Sequence, residues 1–116
     1  DTTMGLSTAA MTAAAEAVKT GFPFLAIHSG TDESVSTGET SAARVAAAWV
    51  NTNGDLTSTN KNFTGAAGAA AQRVGYWSAS SGGTFGGSQT LTGDTTFNAA
   101  GEYTVTSITE DQTVTG

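Results

Sequence analysis

The amino-acid sequence predicts a mostly β fold, an antiparallel β-sandwich or jelly-roll-like barrel carrying one N-terminal α-helix. Three observations predict it. Helical spacing of apolar residues occurs only before Gly21, the spacing falls to two beyond Pro23, and turn signals then recur every eight to twelve residues or so. The chain has 116 residues, enough to close one modest core and not two, so residues 1–116 are read as a single domain. With 38% hydrophobic and only 12% charged residues, the composition is that of a folding chain rather than a disordered one. Its polar surface must come mainly from hydroxyls and amides, as in proteins whose surfaces are covered by neighbouring subunits.

The helix is expected over Thr8 to Thr20. Leu6, Ala10, Met11, Ala14 and Val18 fall near one face, and alanine, the best helix former, fills much of the rest. Ser7 serves as N-cap, Leu6 and Met11 flank it as a hydrophobic staple, Lys19 suits the last turn, Gly21 suits a left-handed C′ position and Pro23 prevents continuation.

The strands follow in order. In Phe24 to His28, Leu25 and Ile27 share one face and Phe24, Ala26 and His28 the other. A Gly/Ser/Thr loop with three carboxylates runs from Ser29 to Thr40. Ala42 to Val50 alternates so that Val45 and Trp49 share a side; strand is preferred over helix there despite the alanines. Asn51 to Asn62 reads as a polar connector containing the turn dipeptide Asn53-Gly54. Strands are then expected over about Ala70 to Ser78, Thr84 to Leu91, Thr95 to Asn98 and Tyr103 to Ile108, the first two joined by a Ser80 to Gly83 hairpin. In the last strand, Tyr103 and Val105 alternate against Thr104, Thr106 and Ile108.

Four basic against ten acidic residues give a net charge of −6, and no run of Lys or Arg is present to neutralise successive phosphates, so nucleic acid is not an expected partner. The apolar stretch Ala9 to Val18 is too short to span a bilayer, so no membrane association is expected and the chain reads as soluble. Cysteine is absent, which removes disulfides, thiolate nucleophiles and Cys-based zinc sites.

Chemistry has few footholds. His28, the sole histidine, lacks a nucleophile motif nearby and reads as a hydrogen-bonded structural residue rather than a general base. Asp32, Glu33 and Glu39 share one loop without the spacing of a calcium site, and read as solvated charges. The segment Asn51 to Asp55 lacks the leading Asp and distal Glu of an EF-hand loop. Neither Gly65 to Gly68 nor Gly82 to Gly87 completes a phosphate-binding motif; they read as turns or close backbone approaches. No enzyme, metal or cofactor is expected. Trp49, Tyr76 and Trp77 are the candidate interface anchors, with Leu6 and Met11 on the helix side. Adjacent on a strand, Tyr76 and Trp77 must point to opposite faces, and one of them is expected to leave the core toward a partner.

Five stretches together carry a resemblance that runs nearly end to end: Gly5 to Ala10, Leu25 to Gly30, Ala43-Arg44-Val45, Val74 to Ala79, and Gly82 to Phe85. The chain resembles short virion proteins of actinobacteriophages, often labelled tail or minor tail proteins, in which a Gly-Leu-Trp strand takes the place of Gly75-Tyr76-Trp77. One departure is Ser29-Gly30-Thr31-Asp32 where Ser-Gly-Asp-Pro is usual. The resemblance implies a non-enzymatic accessory subunit at the surface of a tailed-phage particle, a capsid decoration (minor capsid) or minor tail protein. It also implies a symmetric homo-oligomer, a trimer for instance, bound to the major capsid protein or to tail proteins. The alternative from another class is a carbohydrate-binding or host-adhesion module in which exposed Trp49 or Trp77 stacks on sugar rings.

Overall fold

The computed structural model describes residues 3–4, 7–111 and 114–115, with side chains described from 7 to 109. Its elements, in chain order, are β1 (Thr3–Met4), α1 (Thr8–Gly21), β2 (Phe24–His28), β3 (Val45–Ala46), β4 (Val50–Thr52), β5 (Asp55–Thr64), β6 (Arg73–Trp77), β7 (Phe85–Thr90), β8 (Glu102–Asp111) and β9 (Val114–Thr115). Two antiparallel sheets, ordered β3-β2-β6-β7 and β4-β5-β8, enclose the core, and β1 pairs with β9. The protein is a mostly β, sandwich-like fold with one N-terminal helix.

Helix α1 begins as the sequence predicts: the Ser7 hydroxyl accepts from the Ala10 amide at 3.1 Å, satisfying one of the helix's unpaired donors. Its C-terminus differs. Gly21 is the last helical residue, and Phe22, at φ −134°, is the cap, its N–H donating to the Val18 carbonyl; the left-handed exit through Gly21 is not used. Leu6 lies outside the described residues, and with it the expected staple. The helix lies on the β4–β5 hairpin. Ala15 is buried there, Asn51 Nδ2 donates to the Thr12 carbonyl and the Glu16 carboxylate, and a Cβ on Gly54 would stand 2.6 Å from that of Met11. Asn53 and Gly54 both take positive φ, the signature of the tight turn that Asn-Gly favours.

Between the sheets, Leu25, Ile27, Val74 and Tyr76 meet Leu56, Phe63, Tyr103, Val105 and Ile108. Two sequence expectations are corrected here. The polar connector Asn51 to Asn62 is mostly strand, because β5 pairs with β8 from Asp55↔Asp111 to Thr64↔Glu102 with a gap only at Asn60. Its alternation is broken at Asn60, which sits at φ 53°. Leu56 and Ser58 are buried before that point and Phe63 after it, so the inward side passes from even to odd positions. The partner strand switches with it, and Ile108 joins Tyr103 and Val105 in the core instead of opposing them. Ser58, taken into the core, donates to the Ala47 carbonyl at 2.6 Å.

The segment from Ala42 to Val50 is extended and not helical, with Val45, Ala47 and Trp49 inward and Ala46, Ala48 and Val50 exposed. Pairing nevertheless lapses between β3 and β4, where Ala48 takes φ 51°. The expected strand Thr95 to Asn98 reduces to one bridge, Ala70↔Thr96, beside the buried Phe97.

Candidate functional site

Strand β6 is buried on both faces at all five positions. Val74 and Tyr76 belong to the main core, while Arg73, Gly75 and Trp77 point the other way, where a long loop closes over them. That loop, residues 29–44, returns along β2: the Ser29 amide donates to Gly38, the Thr40 amide donates to Ile27, and Glu39 bridges His28. The result is a second, polar–aromatic cluster on the outer face of the four-stranded sheet.

His28 is its hub, with no exposed surface. Nδ1 lies 3.0 Å from the Thr37 carbonyl, which can only accept, so this nitrogen carries the proton. Nε2 is therefore bare and accepts from Trp77 Nε1–H at 3.2 Å. The two rings are parallel within 4° and offset at 6.0 Å, and Phe85 packs edgewise on the indole at 5.4 Å. The Arg44 guanidinium sits 3.9 Å above the indole centroid. Arg44 also forms a two-pronged pair with Glu39, at 2.8 and 2.9 Å, and donates to the Ala79 and Gly82 carbonyls. This one side chain ties the loop to the β6–β7 hairpin.

Arg73 does the same from below. It is fully buried, has no carboxylate within ion-pair distance among the described residues, and donates to the carbonyls of Gly30, Val35 and Thr37 and to the Ser88 hydroxyl. Glu33 finishes the strap by accepting from the Thr90 amide and hydroxyl, which closes the outer edge of β7 at its end. Asp32 caps the Ser34 amide. The loop carboxylates are exposed, as the sequence suggests, and each is in addition a fastener of the loop.

Burial is the main cause holding the His28 pKa below its ordinary value, and the neighbouring arginines act in the same direction against the Thr37 hydrogen bond and Glu39. A histidine kept neutral in the fold loses ground as the unfolded chain begins to take up protons. Its contribution is complete above the unfolded value of 6.5 and diminishes as pH falls below it. Glu39, whose pKa is lowered chiefly by its hydrogen bonds to Arg44, adds a further loss through and below the carboxylate range. The urea midpoint should therefore decline from pH 7 to pH 5, and His28→Gln should flatten that part of the profile. An identical slope in the variant would remove His28 from the account.

The packing also explains a glycine in mid-strand. A Cβ on Gly75 would stand 2.5 Å from His28 Nε2 and 3.2 Å from Phe85. Gly75→Ala should cost about 2–3 kcal/mol by overpacking and break the Trp77–His28 hydrogen bond. A blue or red shift of the indole emission would report the change; an unchanged spectrum at wild-type stability would contradict it.

The expected anchors behave differently from the sequence reading. Trp49, Tyr76 and Trp77 are 4%, 5% and 9% exposed. Trp49 donates to the Phe22 carbonyl and meets Tyr76 edge-on. Trp77 leaves the main core, as adjacency demands, but is roofed by Arg44 rather than presented outward. Met11 is half-buried against the Asn53-Gly54 turn. Missed altogether was Arg73, although a charge in the middle of an otherwise alternating strand was the available signal.

Among the described residues no group of three or more His, Asp or Glu is gathered to hold a metal ion, and no helix is long and apolar enough to cross a membrane. Comparison with protein-family models, curated proteins and solved structures finds no match. What fold and cluster define is a hydroxyl-rich antiparallel sandwich whose conspicuous polar and aromatic side chains fasten a loop to a sheet.

Proposed function

We propose that this chain is a non-enzymatic accessory subunit of a tailed-phage particle, seated on the capsid as decoration or on the tail as a minor component. One observation carries the reading. Four of the stretches that resemble the virion proteins meet in the polar–aromatic cluster: His28 from β2, Arg44, Gly75 and Trp77 from β6, and Gly82 with Phe85. The motifs hold a fold rigid; they do not line an open cavity. A rigid small domain with an acidic, hydroxyl-rich exterior suits cementing, in which each added subunit buries surface across a joint and stabilises the assembled state by mass action. The stacking platform required by a sugar-binding module gains no support, since neither tryptophan is presented to solvent.

The test is the copy number of the chain in purified particles, by quantitative mass spectrometry against the major capsid protein. Copies on the order of hundreds follow a capsid lattice; a handful to a few tens follow tail symmetry. Absence from the particle would end the reading.

A further inference from the structure

Sheet edges are open templates, and of the four edges of the two larger sheets three are short or partly closed. β3 and β4 have two and three residues, and the six-residue β7 is engaged from outside by Glu33 at Ser88 and Thr90. The fourth, β8, is ten residues long, pairs with β5 on one side, and has no strand on the other among the described residues. Its sequence contains neither the proline nor the lysine that commonly blunts such an edge.

A cleft of about 390 Å³ runs along this edge, between residues 103–108 and residues 89–94. It is bracketed by two bridges, one between the sheets and one from β8 to the loop after β7: Gln89 Nε2 donates to the Thr109 carbonyl at one end, and the Tyr103 hydroxyl donates to the Asp94 carbonyl at the other. Thr109 shows that backbone acceptors of β8 face the open side. Between the bridges lie residues 104–108, about 17 Å of extended chain.

Charge selects the occupant. Among the described residues Asp94 is the one charged residue lining the cleft, and the exposed Glu102 directly precedes the lining residue Tyr103 in the chain. Both arginines are turned inward and Lys19 pairs with Glu16, so Lys61, opposite Val105 on β5, is the one basic residue in register with this edge against the chain's net charge of −6. A second copy fits poorly. In sequence β8 has Glu102 at one end and Glu110-Asp111 at the other, so pairing it with itself sets acid against acid in either orientation, which is destabilising across strands. We infer that the open edge of β8 accepts, as an added strand, an extended basic segment of another protein, with small or hydroxyl side chains at its centre. Backbone hydrogen bonds to the edge supply affinity, and lysine or arginine at the ends of the segment supplies selectivity. This deepens the accessory-subunit reading by naming the kind of partner segment, but it concerns the isolated chain and is tested without the particle.

The probe is a capped synthetic peptide, Lys-Thr-Val-Thr-Val-Thr-Lys, titrated into the full, isotopically labelled chain, with a control peptide carrying Glu in place of both Lys. The expected result is amide shifts confined to residues 102–109 and 89–94, with the Glu peptide at least about tenfold weaker. Ser107→Lys should weaken the Lys peptide and Ser107→Glu should preserve or tighten it; residue 107 is exposed, and near-ultraviolet dichroism checks that both variants fold. No shifts at millimolar peptide, shifts elsewhere, or equal binding of both peptides would overturn the inference. Concentration-dependent protection of β8 without peptide would also overturn it, in favour of a second copy. Absence of the chain from particles, with this binding intact, would remove only the accessory-subunit reading.

Discussion

Arg73→Leu should destabilise the protein by roughly 3–5 kcal/mol, a large part of the 5–15 kcal/mol that a domain of this size possesses. The side chain has no exposed surface and satisfies three loop carbonyls at 2.6–2.8 Å. Leucine fills much of the volume but leaves those oxygens facing an apolar group, and they can recover hydrogen bonds only if the loop lifts toward water. Two readouts should move together: the urea midpoint, and the amide exchange of residues 29–40, which should approach that of an open loop. Arg73→Lys should fall between, because one ammonium cannot span three carbonyls held by a planar fork. If Arg73→Leu stays within about 1 kcal/mol of wild type, the carbonyl cage contributes little and the aromatic stack alone carries the loop.

Phe63→Ala is expected to cost about 3–5 kcal/mol, since a fully buried ring is removed from the contact between β5 and the opposing sheet. The size of the loss depends on whether the site can collapse, and its neighbours limit that. Residue 63 is paired with Tyr103, whose hydroxyl is held by Asp94 and whose ring packs on Phe97. A denaturation midpoint lowered in proportion, with an unchanged slope, would confirm a cavity in an otherwise native fold; a loss below about 1 kcal/mol would mean that the ring is not an integral part of the core.

That residue also shows where the sequence was legible and where it was not. Elements with one uninterrupted period were readable: α1 with its Ser7 cap, β2 from Phe24 to His28, and the β6–β7 hairpin with its glycine turn. β5 was not. Its apolar residues, Leu56 and Phe63, are seven apart and of opposite parity, and only the left-handed backbone at Asn60 puts both in the core. A period-two template rejects such a segment, because the information lies in a backbone conformation rather than in the spacing of side chains. Ile108 was misassigned for the same reason. The candidate site was half legible. Adjacency placed Tyr76 and Trp77 on opposite faces correctly, but what covers Trp77 is Arg44, which belongs to another segment and bonds to Ala79 and Gly82. Burial by a distant side chain leaves no trace in local pattern. The structural role assigned to His28 agrees with its two engaged nitrogens.

The pairing of β5 with β8 also governs how the molecule comes into being. Its rungs join residues roughly 40–55 positions apart, and β2 meets β6 at a similar separation. Neither sheet can be completed by local search, so folding should be slow for a chain this short, in the millisecond-to-second range of β-rich topologies. During synthesis, the segment containing Leu56 and Phe63 waits without its mate until residues 102–111 clear the ribosome. For that interval its apolar side chains and the edge that β8 will occupy are available to any neighbour, and yield in expression will be set by the lifetime of this half-paired strand more than by the stability of the finished sandwich.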